Sequence, residues 1–262
     1  MIENDTPEPS RYHPIVDRMT VLVFALVLCA PVAARVFHLR EDPDVMRFDS
    51  ASATPPALSF NLRSPRELER YFNTHFVFRG GANFRSVDRI TTLQALDDKV
   101  SFPDEKDGML GLRVIRSLEI PSDKPEVYTD ASGRATTVAK LDNTGVNGTY
   151  LTSEGKKGDA AWGTRGRWCN LSGLVGDEAV TITILDHPEN PGFPTYWHAR
   201  GYGLFAANPL GQKVFSNGKE ELNFSLAPHA SGTFRYRILI SSAILTPEAT
   251  EAAYKEFVAA YH

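Results

Sequence analysis

Residues 233–241, TFRYRILIS, alternate without interruption. Drawn out as extended chain, they place Phe234, Tyr236, Ile238 and Ile240 on one face and Arg235, Arg237 and Leu239 on the other. That period of two is the signature of a half-buried strand. Upstream, residues 179–185, AVTITIL, interleave β-branched and threonine positions in the same way, which suits a pleated surface. Working outward, residues 112–115, 117–120, 167–171 (with Trp168 inward), 204–207 and 221–226 are further short strand candidates. Residues 121–148, with Asp130, Gly133, Asn143-Thr-Gly and Asn147-Gly, read as loops and weak strands. Many short strands separated by turns imply a mostly β chain, an antiparallel β-sandwich. Residues 247–261 then close it with an amphipathic helix. Thr246 is its N-cap and Glu248 lies in its first turn.

Between the two best strands lies DHPENPGFPTYWHARGYGLFAANPLG, residues 186–211. Four prolines and four glycines argue against a regular helix or a central strand. A long irregular segment held between strands is a common seat of binding groups. His187 and His198 can exchange protons near neutral pH. In extended chain His198, Arg200 and Tyr202 share a face, and a guanidinium beside an imidazole can stabilise an oxyanion. His187, His198 and Arg200 are therefore the candidate catalytic residues. Asn190, Tyr196, Trp197, Tyr202, Asn208 and the carboxylate of Glu154 are the candidate substrate-binding residues, the aromatic faces being suited to stacking on a sugar ring. The two histidines stand eleven residues apart with no third ligand at a telling spacing, so no metal is expected, and no cofactor motif is present. Gly-Lys-Lys-Gly at 155–158 lacks the phosphate-loop pattern.

Composition narrows the partners. With 262 residues and a net charge of -4, and no basic stripe interleaved with aromatics, nucleic acid is not an expected ligand. The cysteines, Cys29 and Cys169, do not suggest an internal pair. Residues 19–34, MTVLVFALVLCAPVAA, carry no charge. As a helix they would reach about 24 Å, slightly short of a hydrocarbon core of about 30 Å; extension to residue 37 lengthens the span. Two readings stand: a retained membrane anchor with a short cytoplasmic tail, or a cleaved secretory signal. Both place the main domain outside the cytoplasm.

Residues 38–57 read as a linker. After it, Ser64-Pro65 with Glu67 reads as a helix start. Leu68, Tyr71, Phe72, His75 and Phe76 fall at helical spacing. Gly80-Gly81 would stop that helix, and residues 83–96 would form a second. Tyr71, Phe72, Asn73, His75, Phe76, Phe78 and Arg79 resemble the membrane-proximal start of AlgJ/AlgX-like alginate O-acetyltransferase proteins. This resemblance implies an accessory role in polysaccharide O-acetylation.

A broader resemblance covers residues 97–258. KDGMLGLRV (106–114), TSEGKKGDAAWGTRGRWCNLSG (152–173), the 186–211 stretch and FRYRILI (234–240) are similar to the bacterial family labelled "methane oxygenase PmoA", which has no established link to methane oxidation. The resemblance implies a galactose-mutarotase-like β-sandwich and a saccharide-related role. Members also carry an earlier half with a histidine-rich DHPHHRG segment that has no counterpart here. The expected organisation is a tail and membrane segment (1–37), a linker with two helices (38–96) and the β domain (97–262). The expected function is sugar binding or glycan processing at the histidine, arginine and aromatic loop. The alternatives are a non-catalytic interaction protein and an O-acetylation accessory. A sheet edge left open by the missing half would favour a homodimer.

Overall fold

The computed structural model describes residues 58–62, 72–129, 132–138 and 140–262. The segment 19–37, the Ser64-Pro65 helix start and Tyr71 lie outside these residues. Among the described residues, no helix is long and apolar enough to cross a membrane. In chain order the strands are β1 (Leu58–Leu62), β2 (Phe72–Gly80), β3 (Phe84–Gln94), β4 (Val100–Ser101), β5 (Leu110–Arg113), β6 (Glu126–Thr129) and β7 (Ala135–Val138). Then come β8 (Thr149–Thr152), β9 (Trp168–Val175), β10 (Glu178–Asp186), β11 (Tyr196–Ala199) and β12 (Leu204–Asn208). A short helix α1 (Gln212–Phe215) precedes β13 (Ser225–Leu226) and β14 (Ser231–Ser241), and α2 (Pro247–Ala259) follows.

Seven strands form one antiparallel sheet in the order β1-β2-β3-β14-β10-β9-β8, and three form a second in the order β11-β12-β5. The two sheets share one apolar cluster. Cys169, Leu171, Ile182, Ile184, Phe234 and Ile238 of the large sheet meet Leu110, Leu112, Trp197 and Phe205 of the small one. The opposite face of the large sheet is covered by α2, where Tyr254 and Phe257 pack on Trp168 and Leu185. The alternation of β14 is as its sequence requires: Phe234, Tyr236 and Ile238 enter the shared core, while Arg237 faces α2 and sits over the Phe257 ring at 5.2 Å.

Residues 72–96 correct an expectation. They form no helices. Strands β2 and β3 make a hairpin, with Gly80-Gly81 at its turn and the Gly81 N–H donating to the Phe84 carbonyl at 3.0 Å. Val87, Ile90, Thr91 and Thr92 are β-branched, which favours the pleat over the helix, and Thr74 and Thr91 join their hydroxyls across the pair at 2.9 Å. Strand β3 then pairs along its length with β14. The segment expected to be a linker with helices thus supplies two adjacent strands of the large sheet. Two smaller corrections follow. Residues 116–118 form a 3-10 turn that buries Leu118 rather than a strand, and of 221–226 only Ser225–Leu226 is paired.

Helix α2 starts where its sequence says. Thr246 accepts a hydrogen bond from the Ala249 N–H at 3.2 Å, and Pro247 needs no partner for a missing N–H. Thr246→Ala is expected to lower stability by about 1 kcal/mol, read as a shift of the urea midpoint at unchanged slope.

Candidate functional site

The 186–211 stretch is more regular than its composition suggests. Pro188, Pro191 and Pro194 all precede Tyr196, so the chain from Tyr196 to Asn208 is free to pair. It folds as a β11–β12 hairpin with His198 opposite Ala206. Its turn is closed by the Arg200 N–H to Leu204 carbonyl bond (2.7 Å), with Gly203 at φ +85°. Few side chains tolerate that conformation, so glycine is required there.

Alternation along β11 sends Trp197 and Ala199 into the shared core. Tyr196 and His198 take the other side, where Phe215 of α1 covers both. Its ring is stacked on Tyr196 at 5.5 Å and edge-on to His198 at 5.6 Å. Both imidazole nitrogens are occupied: Nδ1 lies 3.1 Å from the Lys106 carbonyl, and Nε2 accepts from Arg200 Nε at 3.1 Å. This fixes the tautomer with its proton on Nδ1. Burial first, and then the Arg200 charge, push the imidazole pKa below its usual value. His198 is therefore neutral at pH 7 and serves as a strut for Arg200.

Arg200 in turn lies over the Trp162 indole, 4.6 Å from its centroid. Trp162 is 40% exposed and touches Phe215 edge-on at 5.8 Å. Beyond the hairpin turn, Tyr202 is 44% exposed. Arg113 sits 5.3 Å above its ring and donates to its carbonyl at 3.0 Å. Gly201 leaves Asp159 beside the turn: a Cβ there would stand 3.5 Å from the carboxylate. The hairpin tip thus presents two exposed aromatic rings, each partnered by a guanidinium, with the exposed Asp159 carboxylate beside the turn. On the far side of Phe215, Arg165 lies over Tyr196 at 5.2 Å and pairs with Glu220 at 2.5 Å.

His187 does not join this group. It follows the last residue of β10 and is fully buried, against Phe257 (5.5 Å) and His262 (5.8 Å). Its Nδ1 accepts from the Glu189 N–H at 3.2 Å, and burial lowers its pKa. The trio of His187, His198 and Arg200 expected around one hollow is therefore split: the second and third are bonded to each other, and the first packs under α2. The remaining candidates divide in the same way. Asn190 is buried and clamps Asp186 to Arg235, donating to the Asp186 carboxylate and the Arg235 carbonyl, both at 2.7 Å. Trp197 is a core residue. Asn208 donates to the Glu105 carbonyl and accepts from the Leu210 N–H, each at 2.9 Å. Glu154 is exposed and pairs with Arg167 at 3.5 Å.

Two rows of polar groups escape a reading by sequence alone. On the α2 face, Asp88 of β3 stands opposite Arg237 of β14. On the inner face, one residue along, Arg89 stands opposite Tyr236, and Tyr236 opposite Asp186 of β10. All three inner residues are essentially unexposed. Burial pushes the Asp186 carboxyl up to about 7, against the hydrogen bonds from Asn190 and the Thr195 N–H that favour its ionised form. Only strand register brings these residues together, and register is not written in any local spacing.

A family model matches residues 73–255, which includes the β2–β3 hairpin and everything up to α2. The chain belongs to DUF6807, a family of unknown function. No curated protein matches it. Two solved structures are similar at low identity. One is the Slr1438 protein from Synechocystis sp. PCC 6803, at 12% identity over 73% of this chain and 63% of that one, with a TM-score of 0.32. The other is a putative aldose 1-epimerase from Escherichia coli K12, at 10% identity over 85% and 82%, with a TM-score of 0.30. This DUF6807 chain spans less than two thirds of the first protein's length. At these TM-scores neither likeness bears on its activity.

Proposed function

We propose that the chain is a carbohydrate-binding protein whose ligand stacks on Trp162 beside Arg200, at the tip of the β11–β12 hairpin. The observation that carries this reading is the pairing of exposed rings with guanidinium groups. Trp162 and Tyr202 are each more than a third exposed, although most large apolar side chains of the small sheet are buried. Sugars offer apolar C–H faces to such rings and hydroxyls to the polar neighbours, here Arg200, Arg113 and Asp159. His198 has no free nitrogen and so does not act as a general base here. In this reading the two packed sheets are a β-sandwich of the galactose-mutarotase-like kind. Residues 19–37 hold it at a membrane or direct its export, so the domain meets its glycan outside the cytoplasm.

A glycan array spanning neutral, amino and uronic sugars, probed with the full chain, tests the proposal. Trp162→Ala is expected to weaken binding of the best glycan by about thirtyfold, the loss typical of an aromatic anchor. Arg200→Ala should also weaken it, while Lys213→Ala, at an exposed surface position, should not. Unchanged binding in both site variants would overturn the assignment.

A further inference from the structure

Arg89 lies in the interior between the two sheets, 1% exposed. Its Nη1 donates to the Met109 carbonyl at 2.7 Å. Its Nε and Nη2 are buried and have no hydrogen-bond partner among the described residues. These two nitrogens form the edge of the guanidinium that matches the two oxygens of a carboxylate. The cross-strand neighbour Tyr236 is fully buried, and its hydroxyl has no hydrogen-bond partner within bonding distance among the described residues, with the Thr195 side chain acting on it. Asp186, next in the row, makes no ion pair with Arg89 among the described residues; its two oxygens accept from Asn190 at 2.7 Å and the Thr195 N–H at 2.8 Å. Burial pulls the Arg89 pKa down only to about 10, so the group stays cationic at neutral pH. A buried cation with two idle donors is costly unless an anion meets it.

We infer that Arg89 and Tyr236 form an interior receptor for a small carboxylate, of the size of formate or acetate. Arg89 holds both oxygens through Nε and Nη2, and the Tyr236 hydroxyl donates to one of them. The site is separate from the hairpin tip and does not depend on the sugar reading. Its occupant stabilises the native state, since the unfolded chain has no such receptor.

Thermal melts of the full chain in sodium formate, against sodium chloride at equal ionic strength, test this. Formate is expected to raise Tm saturably, by about 5 °C at a hundred times Kd, and sodium glucuronate, too bulky for the interior, should match chloride. Arg89→Met should abolish the formate-specific rise. Tyr236→Phe, which keeps the ring and the packing, should weaken the apparent affinity about tenfold; it serves as the test if Arg89→Met does not fold. Identical curves in formate and chloride would overturn the inference, as would a formate-specific rise retained in Arg89→Met. An unchanged affinity in Tyr236→Phe would also overturn it. A rise with glucuronate equal to that with formate would overturn it as well, since an interior receptor for a small carboxylate does not take that anion.

Discussion

Asp88→Ala is expected to lower folding stability by about 3–5 kcal/mol, the loss typical of removing one partner from a buried ion pair. Asp88 is fully buried on the α2 face and receives four donors. Arg237 supplies two, Nε at 2.6 Å and Nη2 at 2.9 Å. The Tyr261 hydroxyl gives another at 2.6 Å, and Arg79 completes the set. Burial alone would raise the carboxyl pKa, but the bonds and charge of Arg237, with those of Tyr261 and Arg79, outweigh it and hold the pKa low. Without the carboxylate, the one acidic partner left to Arg237 among the described residues is Glu256 at 3.6 Å, itself 78% exposed and so a weak partner, and the Phe257 ring beneath it offers no hydrogen-bond acceptor. The cluster also ties β3 and β14 to the end of the chain through Tyr261, so α2 should loosen with it. Asp88→Asn retains an acceptor and should lose less. Urea unfolding at pH 7 reads both variants.

The stability advantage of the wild type over Asp186→Asn is expected to shrink by about 3 kcal/mol between pH 4 and pH 7. Folding raises the Asp186 carboxyl to about 7, well above its value in the unfolded chain. The folded state therefore holds this proton more tightly. Its contribution is complete below about pH 4 and is lost as pH rises through 7. Buried His187 and His198 slope the other way, since their pKa values are lowered by burial. The comparison with Asp186→Asn cancels their contribution. Asp88 also slopes oppositely, but only between its depressed pKa and the ordinary carboxylate value of about 4, below this pH window. A wild-type advantage that stays level or grows from pH 4 to pH 7 would show that Asp186 is not the buried acid described here.

The parts of the fold that could be read from sequence were those with a local cause. The alternation of TFRYRILIS and AVTITIL gave the strands β14 and β10. Thr246 and Pro247 gave the start of α2. At 72–96 the local signal was ambiguous, because Phe72, His75 and Phe76 suit a helical face while the β-branched run from Val87 suits a strand. Long-range pairing with β14 decided the outcome. The site followed the same division. His198 and Arg200 are two apart on a strand, so their shared side was predictable. Trp162, which presents the exposed ring, comes from a different loop. Proximity in sequence joined His187 to His198, yet the prolines between them carry the chain from under α2 to the small sheet. Arg89, Tyr236 and Asp186 meet only through the register of three strands far apart in the chain.

Acrylamide quenching of tryptophan fluorescence tests the carbohydrate reading most directly. Of the three tryptophans, Trp168 and Trp197 are 3% and 0% exposed, whereas Trp162 is 40% exposed. The accessible signal is therefore that of Trp162. Saturation with the best array glycan is predicted to lower the quenching constant of the wild type and to leave Trp162→Phe unaffected. A quenching constant unchanged by saturating glycan in the wild type would contradict the placement of a sugar on this ring.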